Sequence, residues 1–242
     1  MAQPRVLALD FVGTLAGHGP APDGRFIADV LRGLPGTAIP KDFPARFDAV
    51  TRRLRETDRA RGARGARGVR TPFLARLART VQGCGATVPD LRTASDAVFT
   101  ALPDARVDPR AAAALRELRA SGLVCVLAAN TDRPEPVRRR TLRDAGIEDC
   151  FDALVLSGTL GIRKPDRRFY AAVTRAAGCP AEHILFVGDN AETDALGPHA
   201  FGMSAVLVTP GPRPAALPPD IATVPHLSEL ACCLNELGHQ VS

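Results

Sequence analysis

Five short apolar runs limit what this chain can fold into more than any other feature: residues 6–9, 123–128, 153–156, 184–187 and 205–208. Each is too short for a buried helix and lacks the alternation of a half-buried strand. Together they read as parallel strands covered on both faces. Helical patterns lie between most of them, at 110–120, 133–145, 167–177 and 191–201. The first of these carries its own start and stop signals: Asp108 as N-cap, Pro109 at the first position and Gly122 beyond the end. Alternating strand and helix predicts a doubly wound, Rossmann-like α/β core on a parallel sheet, with any ligand bound beyond the carboxyl ends of the strands.

Between the first strand and this repeating half lies the stretch 16–106, which has no clear strand and is too long for an ordinary crossover. It reads as an inserted α-helical cap domain, leaving 1–15 and 107–242 as the core. Apolar spacing predicts helices around Phe26, Ile27, Val30 and Leu31, then over 43–57, 73–81 and 91–102. The arginine- and glycine-rich segment 59–70 predicts a mobile loop or a poorly formed helix.

Hydrophobic residues make up 45% of the chain and charged residues 24%, and no apolar run approaches the roughly 18 residues of a membrane span. The first apolar run starts almost at the N-terminus, with no room for a charged segment, a hydrophobic segment and a cleavage site. The expectation is a soluble, cytoplasmic protein without membrane contact. Six cysteines form no C-x-x-C pair and read as free thiols. The cap carries many arginines, among them Arg52, Arg53, Arg55, Arg70, Arg76 and Arg79. They form either a solvated basic face or a means of capturing an anionic substrate. Nucleic acid is the weaker alternative, because between Arg52 and Arg79 aromatic residues that would stack on bases are nearly absent, Phe73 being the one present.

Chemistry-bearing residues sit at the predicted strand ends. Asp10 closes the first run within Leu9-Asp10-Phe11-Val12-Gly13-Thr14-Leu15, where Gly13 permits a tight turn that presents backbone N–H groups around Thr14. Alone, such an aspartate is as well explained by a turn or a cap. Asn130 follows the second run, Lys164 the third, and Asp189 and Asp194 the fourth. The two aspartates could equally cap a helix, and Lys164 could be a surface lysine. Yet Lys164 is one of only two lysines, with Lys41, in an arginine-rich chain. Arginine drift spares lysine best where a compact ammonium is needed.

Arg163-Lys164-Pro165-Asp166, Phe186-Val187-Gly188-Asp189 with Asp194, and the segment around Asp10 resemble the motifs of the haloacid dehalogenase (HAD) superfamily, and the insertion resembles its C1-type cap. The resemblance implies a hydrolase in which Asp10 is the nucleophile, Lys164 neutralises charge, and Gly13, Thr14, Asn130 and Lys164 hold the substrate. It also implies Mg²⁺ on Asp10, the Val12 carbonyl and Asp189, with Asp194 as a further ligand or support. The implied partner is a small anionic, phosphorylated molecule; the oligomeric state stays open.

Two positions depart from the phosphatases of that superfamily. Val12 stands where they carry an aspartate that moves protons, and Ala129 where they carry a Ser or Thr hydroxyl. A positioned acid or base is worth about a hundred- to ten-thousand-fold in rate, so alkyl-phosphate hydrolysis is expected to be weak. Alternatives are a dehalogenase- or phosphonatase-like enzyme, the latter needing Lys41, or a catalytically atypical scaffold that binds ligand or performs a tailoring reaction. His18 is the one nearby candidate to replace the missing acid.

Overall fold

The computed structural model describes residues 4–63 and 70–239. Its sheet comprises β1 (Val6–Leu9), β2 (Val124–Ala129), β3 (Ala153–Leu156), β4 (Ile184–Gly188), β5 (Ser204–Val208) and β6 (Ala222–Val224). The order is β3-β2-β1-β4-β5-β6 and every ladder is parallel. Leu9 lies opposite both Leu127 and Val187, which brings the carboxyl ends of β1, β2 and β4 nearly level. Successive strands are added in one direction from β1 to β3 and in the other from β4 to β6, so the winding reverses between β1 and β4, the switch point where an open α/β sheet leaves a crevice.

Successive strand residues face opposite layers, and both layers are apolar. Leu7, Leu9, Cys125, Leu127, Leu185 and Val187 join one buried cluster, into which α5 (Pro109–Ala120) sends Leu115 and Leu118. Val6, Ala8, Val126, Ala128, Ile184 and Phe186 join the other, covered by Phe169, Tyr170 and Val173 of the helix Arg167–Ala177. This two-sided burial is why the strands read as unbroken apolar runs. Asp108 caps α5 as its sequence suggests, accepting the Arg110 and Ala111 N–H groups at 2.7 and 3.1 Å.

Two expectations need correction in this unit. The edge strand β6 escaped notice because three residues are too few to show a period. The helix expected over 191–201 is instead a wide π-helical turn at Ala191–Leu196 followed by a short helix at Gly197–Phe201. Tyr170 accounts for the irregularity. Its hydroxyl donates to the Thr193 carbonyl at 2.7 Å, and a Cβ added at Gly197 would stand 2.1 Å from that hydroxyl.

The chain divides into two compact units, one of 1–18, 105–131 and 138–242, the other of Gly19–Asp104 with Asp132–Val137. The second unit holds α1 (Gly24–Arg32), α2 (Phe43–Ala63), α3 (Phe73–Cys84) and α4 (Leu91–Ala101). Ile27, Leu31, Phe43, Phe47, Phe73, Leu77, Val98 and Phe99 form its core. Phe73 packs edge-on to Phe99, 4.8 Å between centroids. Asp132–Val137 belongs to it through Arg133, which donates to the Leu102 and Pro103 carbonyls and pairs with Asp104. The segment 59–70, expected as a mobile loop or a poorly formed helix, is helical as far as Ala63; residues 64–69 lie outside the described residues. Among the described residues no helix is long and apolar enough to cross a membrane.

Candidate active site

Asp10 follows β1 directly and is almost fully buried. The loop after it closes on itself: Gly13 N–H donates to Ala16 O at 2.7 Å, and the Leu15 and Ala16 N–H groups to Phe11 O. None of these bonds uses the Val12 carbonyl or the Val12 and Thr14 N–H groups. The Thr14 hydroxyl is buried without a partner. Gly13 adopts φ +81°, and a Cβ there would stand 2.1 Å from Asp189 Oδ2. Glycine is therefore required both for the turn and for the approach of Asp189 from the end of β4.

Lys164 holds the site together. Its ammonium, 1% exposed, donates to Asp10 Oδ1 at 2.7 Å, Asp194 Oδ1 at 2.6 Å and the Ala128 carbonyl at 2.8 Å. All three protons of the ammonium are thereby placed. Asn130 supports it from β2: its Nδ2 donates to Lys164 O at 3.1 Å and its Oδ1 accepts Lys164 N–H at 3.0 Å. This amide, expected to touch substrate, bonds the lysine backbone through both its nitrogen and its oxygen. Asp194 likewise has both oxygens engaged, Oδ1 by Lys164 and Thr193 and Oδ2 by Asn190 N–H. Gly188 permits this, since a Cβ there would meet Asp194 Cβ at 2.4 Å.

Two supporting residues were not anticipated. Ser157, at the end of β3, accepts Thr131 N–H and donates to Thr131 O, fixing the loop that carries Asn130. Tyr170 shapes the turn that delivers Asp194, and being the only tyrosine was its one signal in the sequence. His18 and Lys41 are both exposed, Lys41 in the helical unit. Ala129 is buried at the end of β2 and Val12 is half-buried against the core cluster.

Oxygens of Asp10, Asp189 and Asp194 lie within 4.8 Å of one another. Among the described residues Lys164 is the only cation bonded to them, so three ionised carboxylates less one ammonium leave two negative charges. Burial, with the Asp194 and Asp189 charges, pushes the Asp10 carboxyl up to about 6 against the opposing pull of Lys164. Burial and Asp194 also raise the Asp189 carboxyl. Lys164 is held above its usual range: burial opposes its charge, and Asp10 and Asp194 outweigh that. An uncompensated charge of two on hard oxygens is a donor set that fits a divalent cation such as Mg²⁺.

A stability consequence follows. In the unfolded chain an aspartate titrates near 3.8 and in the fold Asp10 does so near 6. The folded state thus holds the proton more tightly, and the Asp10 contribution to stability is lost as pH rises through 6. For the metal-free protein, Asp10→Asn is expected to gain stability relative to wild type as pH rises from 4 to 7, because the variant has no carboxyl to ionise in the buried site. Urea titrations at both pH values check this, and equal gains at both would refute it.

A doubly wound sheet that gathers buried carboxylates and one buried ammonium at its switch point defines an α/β enzyme of the Rossmann-like kind. The chain belongs to the haloacid dehalogenase-like hydrolases, whose family model matches residues 4–202. It is 33% identical over 144 residues to a phosphoserine phosphatase of Thermus thermophilus, covering 59% of this chain and 57% of that one. It is 40% identical over 109 residues to a phosphoglycolate phosphatase of Cereibacter sphaeroides, covering 45% and 48%. The chain thus spans about half the length of these curated relatives. The structure of a 2-haloacid dehalogenase from Pseudomonas syringae pv. Tomato DC3000 aligns over 97% of this chain and 100% of its own, with TM-score 0.66 and 20% identity, a likeness of fold.

Proposed function

We propose that this hydrolase acts on a small phosphorylated anion through Asp10, with Mg²⁺ as cofactor, and that it favours substrates whose leaving group needs no proton. The observation that carries the reading is the Lys164 ammonium seated between Asp10 and Asp194. It keeps Asp10 Oδ1 fixed while the second oxygen attacks phosphorus. The bond from phosphorus to the leaving oxygen breaks as the aspartyl-phosphate forms, and water then releases phosphate and restores the carboxylate. Lys164 offsets charge on the nucleophile, and the loop N–H groups and Thr14 hydroxyl offer donors to the phosphoryl oxygens. Asp10, Asp189 and the Val12 carbonyl would hold Mg²⁺, which supplies charge neutralisation for those oxygens. Asp194, with its oxygens engaged, orients Lys164.

Val12 presents only hydrocarbon, so no proton reaches a departing alkoxide from that position. Aryl and acyl phosphates are therefore expected to turn over at least about a hundredfold faster than alkyl phosphates. A Mg²⁺-dependent assay over aryl, acyl and alkyl phosphates and 2-haloacids checks the reading, and turnover confined to haloacids would overturn it. Asp189→Ala is expected to weaken Mg²⁺ binding at least about tenfold in calorimetry. Unchanged affinity in the folded variant would remove Asp189 from the metal site.

A further inference from the structure

The helical unit contains a buried guanidinium whose donors are largely unspent. Arg76, in the first turn of α3, is 7% exposed. Its side chain makes one hydrogen bond among the described residues, from Nη2 to Asp132 Oδ2 at 2.9 Å. The other Asp132 oxygen is taken by Phe73 N–H at the start of the same helix. Arg76 Nε is buried without a partner, although a guanidinium carries five N–H donors and burial of so many normally comes with acceptors.

Two more arginines are brought to this place by a specific clasp. Asp58 on α2 accepts both the backbone N–H and the hydroxyl of Thr71, at 2.7 and 3.2 Å. That fixes Arg70, the residue before Thr71, beside the turn of α2 that carries Arg55 three residues before Asp58. Both arginines are exposed, and their charges reach Arg76. Burial lowers its affinity for a proton, Asp132 opposes that, and Arg70 and Arg55 lower it further. One turn before Arg55, Thr51 carries a second buried hydroxyl without a partner. Arg76 is bonded to Asp132 alone, and the charges of Arg55 and Arg70 add to its own, which leaves donors unspent beside an excess of positive charge.

We infer that Arg76, with Arg55 and Arg70, forms an anion-binding site within the helical unit for a carboxylate or phosphate group. The planar fork of Arg76 suits two oxygens of such a group, and the two exposed arginines draw it in. This inference stands independently of the reaction at Asp10.

The test reads the arginine Nε–H resonances of the metal-free full chain by ¹H–¹⁵N NMR, titrated with inorganic phosphate and separately with acetate at constant ionic strength. The Arg76 resonance is expected to shift and saturate with at least one of the two anions, equally in wild type and in Asp10→Asn. A response to phosphate alone assigns a phosphate ligand, and a response to acetate a carboxylate. Arg55→Gln with Arg70→Gln, both at exposed positions, is expected to weaken the interaction about tenfold while Arg76 keeps its place. No shift with either anion, equal affinity in the double variant, or a shift that vanishes in Asp10→Asn would overturn the inference.

Discussion

Lys164→Met is expected to lower turnover by at least about a thousandfold while leaving Mg²⁺ bound. Methionine keeps the length and apolar stem of lysine but removes the ammonium that bonds Asp10, Asp194 and the Ala128 carbonyl. Asp10 then loses its one opposing charge, so its carboxyl rises above its present value of about 6 and less of it is ionised at neutral pH. A preorganised cation is also lost from the place where phosphoryl charge develops, and removing even one neutral donor at such a place costs about a hundred- to a thousandfold. Breaking a buried ion pair on one side costs about 3–5 kcal/mol in the metal-free fold. Mg²⁺ is expected to recover part of this, because it binds the clustered carboxylates in their ionised form and offsets their repulsion, as Lys164 no longer does. Steady-state kinetics and calorimetry on the same preparation separate the effects. Turnover within tenfold of wild type would show that Lys164 is structural only.

The sequence made the skeleton of this site readable, and the reason lies in burial. A strand covered on both faces must be apolar throughout, so the polar residue that ends it stands out: Asp10 after Val6–Leu9, Asn130 after Val124–Ala129, and Asp189 after the apolar part of Ile184–Gly188. What each side chain does there is set by partners distant in the chain. Asn130 belongs to Lys164, 34 residues on, through two backbone bonds that leave no pattern in the sequence. Asp194 reaches Lys164 because the chain widens into a π-helical turn, which depends on Tyr170 bonding Thr193 and on the bare backbone of Gly188 and Gly197. Helical periodicity alone predicts an ordinary helix there. The arginines of the insertion were equally ambiguous by count, since charge says nothing about depth. Arg76 is buried and Arg55 exposed, and only packing distinguishes them.

Val12→Asp is expected to raise alkyl-phosphate turnover about ten- to a hundredfold, and the same change combined with Ala129→Ser to raise it further. Position 12 lies in the loop that Asp10 opens, two residues beyond it, in a half-buried setting. A carboxyl placed there can protonate the departing alkoxide and then take a proton from the water that attacks the aspartyl-phosphate. A well-positioned group of this kind is worth about a hundred- to ten-thousandfold. The gain is expected to fall below the top of that range for two reasons. Val12 packs partly against the core cluster, so the new carboxyl has to turn away from it, and a misplacement of about one ångström is costly in rate. Ala129, 2% exposed, provides no hydroxyl for a phosphoryl oxygen, which Ala129→Ser supplies at the end of β2. Wild type is expected to show a burst of leaving group with an aryl phosphate followed by slow turnover, because water lacks its base. In Val12→Asp the slow phase accelerates while the burst rate changes little. Stopped-flow traces of wild type and both variants on one aryl and one alkyl phosphate read both phases directly. Alkyl-phosphate turnover as fast as aryl in wild type, or loss of activity in a folded Val12→Asp variant, would mean that Val12 serves a reaction other than phosphoryl transfer.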